Sequence, residues 1–308
     1  MNFKITSPAT IANLGSGFDV LGLCLEGLSD SFLFSESESF EIKVFGKDAE
    51  LVPLAPAQNA ICIASNAYFK SQSLEEAPYR VLLERQLPLS GGLGASAAAS
   101  VAGALAAALF AGHDIETPHT KKNIIQAALA GESAVAGRHL DNIAPCLLGG
   151  LTLVQDVDEC QVYSVPFKAH IWLTVATPKV KVMTKDARLV LKESLPTKRW
   201  TKQMSHCTTL ALALALPDYE ALKFGLIDPF AEPERAKFVP LFFEAKALAM
   251  DKGALGFSLS GSGPTCFAVS TSKEIALNIE DGLKALWGST IQTHVCQPSN
   301  KGAQVNYV

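Results

Sequence analysis

The chain has 308 residues, 48% of them apolar and 18% charged, with 26 basic side chains against 30 acidic ones. That composition excludes a disordered, collagen-like or coiled-coil chain, and the length suits about two domains with real cores. A formal net charge of −4 gives no long-range attraction for polyanions, so no nucleic-acid partner is expected.

Residues 2–6 and 17–25 read as short strands, separated by the turn-like Asn13-Leu14-Gly15-Ser16-Gly17. The opening MNFKITSPAT lacks the basic and apolar regions of a secretory signal, so none is expected. Phe40, Ile42 and Val44 alternate with polar residues, the mark of a half-buried strand. Ile61, Ala64, Ser65 and Tyr68 recur at helical spacing, and 80–87 reads as a strand leading into a glycine-rich loop.

From Leu87 to Gly112 there is no Asp, Glu, Lys or Arg. The run is long enough for a membrane span, but its first part is packed with helix breakers and the rest is mostly Ala. No Lys/Arg cluster flanks it, so a loop feeding a buried, close-packed helix is expected and no membrane partner. Thr117-Pro118 then opens a helix to about Gly137, an N-cap followed by Pro at the first helical position.

Strands are expected near 150–155, 160–165 and 170–176, then helices near 184–193, 198–216 and 233–251. The end reads strand 254–259, strand 264–270, helix 273–286 and strand 290–296. Strands and helices cluster instead of strictly alternating, so the class is α+β. The acidic turn Asp156–Glu159 marks a boundary, giving domains over 1–160 and 161–308. Seven cysteines, an odd number with no CxxC pair, fit reduced thiols in a cytoplasmic protein.

Three segments carry chemistry. Pro88-Leu89-Ser90-Gly91-Gly92-Leu93-Gly94-Ala95-Ser96-Ala97-Ala98 combines glycines, which let backbone approach an anion, with the start of a helix. Neither a Walker A motif nor GxGxxG is present, and a ligand-free tight turn is the plainer alternative. Ser96 can offer its hydroxyl to phosphate or to a phosphate-bound Mg²⁺. The second segment holds Glu132, either a solvated surface carboxylate or a buried metal ligand, followed by His139, Asp141 and Asn142. The third, Gly256 to Cys266, is either a flexible hairpin loop or a second small-residue wall against a polyanion.

Together, in this order, the segments resemble the GHMP family of small-molecule kinases. Pro88–Ala98 is similar to the family's phosphate loop, and Gly261-Ser262-Gly263-Pro264 to its carboxy-terminal glycine motif. The stretch from Pro8 to Gly22, PATIANLGSGFDVLG, resembles the opening of homoserine kinases more than that of mevalonate or galactose kinases. His139 to Cys146 and Glu232-Pro233-Glu234-Arg235 fit the same branch.

The resemblance implies an amino-terminal domain like domain 2 of ribosomal protein S5 and a ferredoxin-like carboxy-terminal domain. It implies ATP against Pro88–Ala98, with Asn59 near the base, and Mg²⁺ held by Ser96 and Glu132. It implies L-homoserine as the small-molecule substrate, phosphorylated for threonine biosynthesis, and a homodimer. Arg188 and Arg235 match carboxylate-binding arginines, suited to bidentate pairing, and Thr184 matches a residue at the site's edge. Asp19, helped by His139, would take the ammonium, while Asn13 and Asn142 would orient the hydroxyl. Asp141 belongs to the site as base or orienter.

Ala95 stands where the family loop has a Ser, and Ser16 where homoserine kinases usually have Pro. Two alternatives stay open: a sister kinase acting on threonine or mevalonate, and a non-catalytic ligand sensor of the same fold.

Overall fold

The computed structural model describes residues 1–288 and 291–308. The first half contains β1 (Asn2–Ala12), β2 (Leu21–Glu36), β3 (Glu41–Gly46), α1 (Ala60–Ser71), β4 (Tyr79–Arg85), α2 (Ala95–Phe110), α3 (Pro118–Val135), α4 (Ile143–Leu148), β5 (Leu151–Asp156) and β6 (Gln161–Val165). The second contains β7 (Trp172–Thr177), α5 (Thr184–Leu189), α6 (Thr197–Ala215), α7 (Tyr219–Gly225), α8 (Glu232–Arg235), α9 (Phe242–Asp251), β8 (Gly256–Leu259), β9 (Cys266–Ser270), α10 (Lys273–Trp287), β10 (Gln292–Cys296) and β11 (Gln304–Tyr307).

One sheet runs β11-β1-β2-β4-β3, with β5 on β2 and β6 on β5. The other runs β10-β7-β9-β8, and all its pairings are antiparallel. Counted along the chain, that order is fourth, first, third, second, with helices after the first and third strands. This is the β-α-β-β-α-β arrangement expected of a ferredoxin-like unit, and the class is α+β as expected.

The sheets part between Val165 and Trp172, so a division at 160/161 would cut the β5–β6 hairpin. The chain's last strand, β11, returns to pair with β1 in the first sheet.

The strand expected over 17–25 is displaced. Residues 13–20 form a loop, and β2 continues to Glu36. The expected strand stops at 25, just before Glu26 and Gly27. The β1–β2 register instead shifts between Pro8 and Thr10, so 25–28 bulge opposite Ala9 and the strand resumes. The helix expected over 233–251 is broken, because Pro240 offers no N–H and Leu241 adopts φ 56°. Of the strand expected over 290–296, Gln292–Cys296 is observed, and residue 290 lies outside the described residues.

The uncharged run resolves into a loop and α2, in which only Ser96 and Phe110 keep partial exposure. A helix apolar on every face is a buried one. Among the described residues no helix is long and apolar enough to cross a membrane. Small residues let α2 approach α1 closely: a Cβ on Gly103 would meet the Ile61 carbonyl oxygen at 2.1 Å. Gly103→Ala is therefore expected to destabilise the fold by about 1–3 kcal/mol, although Ala is the better helix former. Urea unfolding of the variant checks this, and an unchanged or raised midpoint would show that the helices part at no cost.

Candidate active site

The β4–α2 loop, the 13–20 loop, the end of α3, α5, α8 and the turn after β8 all border one cavity of about 660 Å³. That volume lies within the usual range for a small-molecule site.

On one wall stands the glycine loop. Gly92 and Gly94 adopt φ 83° and 71°, and Gly94 caps α2 without any side-chain acceptor. The first amides of α2 thus have no intrahelical partner, and the dipole adds positive potential there. Packing also demands glycine: a Cβ on Gly92 would meet the Ser260 carbonyl oxygen at 2.5 Å, and one on Gly94 the Thr10 hydroxyl at 2.2 Å. The 260–265 turn is a brace instead of a flexible hairpin. Its Ser260 hydroxyl donates to the Gly92 carbonyl, and Thr265 donates to Gly91 through both its amide and its hydroxyl.

Behind Ser96 lies Glu132, 4% exposed on α3. Burial pushes its carboxyl up to about 7, with the Ser96 hydroxyl pulling the other way. One of its oxygens, Oε2, is buried with no hydrogen-bond partner among the described residues. An orphaned carboxylate oxygen beside a hydroxyl is a donor set that fits a hard cation. Among the described residues no three His, Cys, Asp or Glu side chains form a full cage. Phosphate and water would have to complete the shell, as is usual for Mg²⁺.

Opposite charges meet nearby. Arg188 on α5 donates to both carboxylate oxygens of Asp19 at 2.7 Å and to Nδ1 of His139 at 3.0 Å. Accepting at Nδ1 puts the His139 proton on Nε2, and burial together with Arg188 and Arg235 holds the ring below its ordinary value, against Asp19. Asp19 sits at φ 56° in the 13–20 loop, whose Asn13 and Leu14 are also left-handed, a strained geometry typical of functional loops.

Arg235, 3% exposed, donates Nε to the Ala187 carbonyl and Nη1 to the Gly261 carbonyl, each at 3.0 Å. Burial, with Arg188 adding repulsion, lowers its pKa to about 10. Its short helix is fixed by Asp228, which accepts the Phe230, Ala231 and Glu232 amides, and by Glu232, which pairs with Lys246 and Ser258.

The amides divide by what they already bind. Thr10 donates its hydroxyl to Asn142 Oδ1 at 2.7 Å, which leaves the Asn142 NH₂ for the cavity. Asn13 accepts from the Asp19 amide and donates to the Gly261 carbonyl, tying the first loop to the second glycine turn. Asn59 caps α1 at Ile61 and donates to the Pro53 carbonyl, so its amide supports the wall. Ser16 uses its hydroxyl on the Gly225 carbonyl at 2.7 Å, a tie Pro could not make.

Most of the expected residues line the cavity: Asn13, Asp19, Asn59, Pro88–Gly92, Gly94–Ser96, Glu132, His139, Asn142, Thr184, Arg188, Arg235, Gly261 and Ser262. Leu93, Ala97 and Ala98 instead pack into the core, and Gly263 is not at the wall. Asp141 is buried behind the wall, its carboxyl pushed up to about 8 by burial and by the nearby Asp19 and Glu132.

Sequence reasoning missed Arg85, which lines the cavity at the end of β4 and pairs with the buried Asp30. Asp30 accepts the Gln86 and Leu87 amides at 2.7 and 2.8 Å and so fixes the entry to the glycine loop. The available signal was position: Arg85 is the last charge before the uncharged run.

Known proteins resemble this chain in sequence and fold. Residues 59–150 match the GHMP kinases N terminal domain and 219–288 the GHMP kinases C terminal domain. The homoserine kinase of Pyrococcus abyssi is 38% identical over 93% of this chain and 94% of its own. That of Chlorobium phaeobacteroides strain DSM 266 is 33% identical over 90% and 89%. The crystal structure of homoserine kinase from Cytophaga hutchinsonii superposes with TM-score 0.89 at 32% identity, covering 99% of this chain and 97% of that one. The mevalonate kinase of L. major, at 16% identity and TM-score 0.69, shares the fold. With a phosphate-ready loop, Ser96 set against the buried Glu132 and relatives matching over nearly its whole length, the chain belongs to the homoserine kinase family of GHMP kinases.

Proposed function

We propose that the chain transfers the γ-phosphoryl group of ATP to the side-chain hydroxyl of L-homoserine, giving O-phospho-L-homoserine and ADP. One observation carries the choice of acceptor: Asp19, Arg188 and Arg235 gather one negative and two positive charges in the glycine-loop cavity. A zwitterionic amino acid can enter by exchange, its ammonium taking Asp19 and its carboxylate taking the arginines. Mevalonate has no ammonium, and its carboxylate would leave Asp19 facing like charge.

In this reading the backbone of 88–96 holds the phosphates, and Ser96 and Glu132 hold Mg²⁺, which when bound would offset phosphate charge. Phosphoryl transfer asks mainly for positioning and charge neutralisation. The hydroxyl oxygen forms the new bond to phosphorus as the bond to the ADP oxygen breaks, and the hydroxyl proton passes to an oxygen of the transferred phosphate and from there to water. The Asn142 NH₂ steadies the reacting oxygens, with Thr10 fixing its orientation. Asp141, out of contact with the cavity, orients its neighbours instead of taking the proton.

The amino-terminal half thus supplies nucleotide contacts, and α5 and α8 supply the acceptor's carboxylate contacts. A cytoplasmic setting in threonine synthesis and a homodimer complete the proposal. Free thiols at all seven cysteines, six of them buried, support a reducing compartment. An ADP-release assay over homoserine, threonine and mevalonate tests the acceptor. Turnover with homoserine alone is expected; turnover with mevalonate and none with homoserine would overturn the choice, and turnover with none would favour a sensor.

A further inference from the structure

The ring of Phe18 lies under two guanidinium groups at once. Arg188 Cζ stands 5.4 Å from its centroid and Arg235 Cζ 5.2 Å. Phe230 packs against the same ring at right angles, 5.0 Å away, and holds it in place. Phe18 is half-buried and does not itself line the cavity.

Arg188 adds repulsion at Arg235, and the ring they share can offset part of it. A carboxylate between them would neutralise both and compete with any acidic ligand. An aromatic face attracts cations through its quadrupole but carries no net charge, so the arginines are steadied without being consumed. Asp19 already compensates Arg188 in part, whereas among the described residues Arg235 hydrogen-bonds to backbone carbonyls, with Asp19, Asp228 and Asp141 acting on it through space.

We propose that Phe18 is a positioning residue for acceptor binding, steadying Arg188 and Arg235 against one ring so that both meet the acceptor's carboxylate. This rests on the homoserine reading above. The role belongs to the ring's electrons and not to its bulk, which separates it from ordinary packing.

The experiment replaces Phe18 with mono-, di- and trifluorophenylalanine in the full chain, which weakens the quadrupole while barely changing the ring's volume. The KM for homoserine should climb stepwise, reaching about tenfold for the trifluoro ring if both contacts weaken together. The KM for ATP and kcat should stay within about twofold across the series. Phe18→Leu should fall at the weak end of the trend and Phe18→Trp should restore binding. A flat homoserine KM, or equal rises for both substrates, would overturn the proposal while wild-type turnover stands. A wild-type chain that ignores homoserine sinks the functional reading and takes this proposal with it.

Discussion

Glu132→Gln is expected to lower kcat by about a hundredfold or more, because a metal that offsets transition-state charge is worth several kcal/mol. Gln keeps the size of Glu132 and one oxygen that can accept from the Ser96 hydroxyl, so α3 and that contact should persist. What it removes is the anionic oxygen that has no other partner among the described residues. The loss should deepen at limiting Mg²⁺ and shrink only partly at high Mg²⁺. Turnover near normal at every Mg²⁺ concentration would refute the ligand role.

The same substitution has a second signature in the ligand-free chain. Burial lifts the Glu132 carboxyl from 4.5 to about 7. Its contribution to stability is therefore fully present below the ordinary carboxylate value and is lost as pH rises through about 7. Gln, permanently neutral, mimics the protonated form. The Tm of Glu132→Gln should decline less than that of the wild type over that window, and parallel Tm profiles would place the ionisation elsewhere.

Glu132 also shows where the sequence reaches and where it stops. Alone, even among small apolar neighbours, it is a carboxylate on a helix, which is usually exposed; the family resemblance is what points to a ligand. Glycines, Ala-rich periodicity and the Thr117-Pro118 cap express local preferences, so the phosphate loop, α2 and the start of α3 can be read directly. Long-range pairing has no such local signal. The return of β11 to β1, the bulge that carries β2 past Gly27, and the Asp30 brace under the loop depend on partners far along the chain. The Asp19–Arg188 bond joins residues 169 positions apart, so residues assigned separately to the two ends of a substrate are found gripping each other. Thr10 looks like an ordinary strand residue until Asn142 is seen accepting its hydroxyl proton.

Arg235→Leu should weaken homoserine binding by about 2–5 kcal/mol, read as a rise in KM of about thirtyfold or more, with the KM for ATP little changed. The two arginines are not equivalent. Arg188 is half-exposed and already paired with Asp19, so substrate exchanges one ion pair for two, and much of the gain is offset. Arg235 is buried, and its hydrogen bonds go to carbonyls, so its charge is left for an incoming anion. A carboxylate meeting a desolvated guanidinium gains more than one meeting an exposed pair. Arg235→Leu is therefore expected to cost more than Arg188→Leu. Arg235→Lys should fall between wild type and Leu, because it keeps charge but loses the planar fork that reaches both Ala187 and Gly261. Leaving those two carbonyls unpaired will also lower Tm, so the comparison is made well below the variants' melting points. An unchanged homoserine KM in folded Arg235→Leu would remove this residue from the site, and a larger effect at Arg188 would reverse the assigned division of charge.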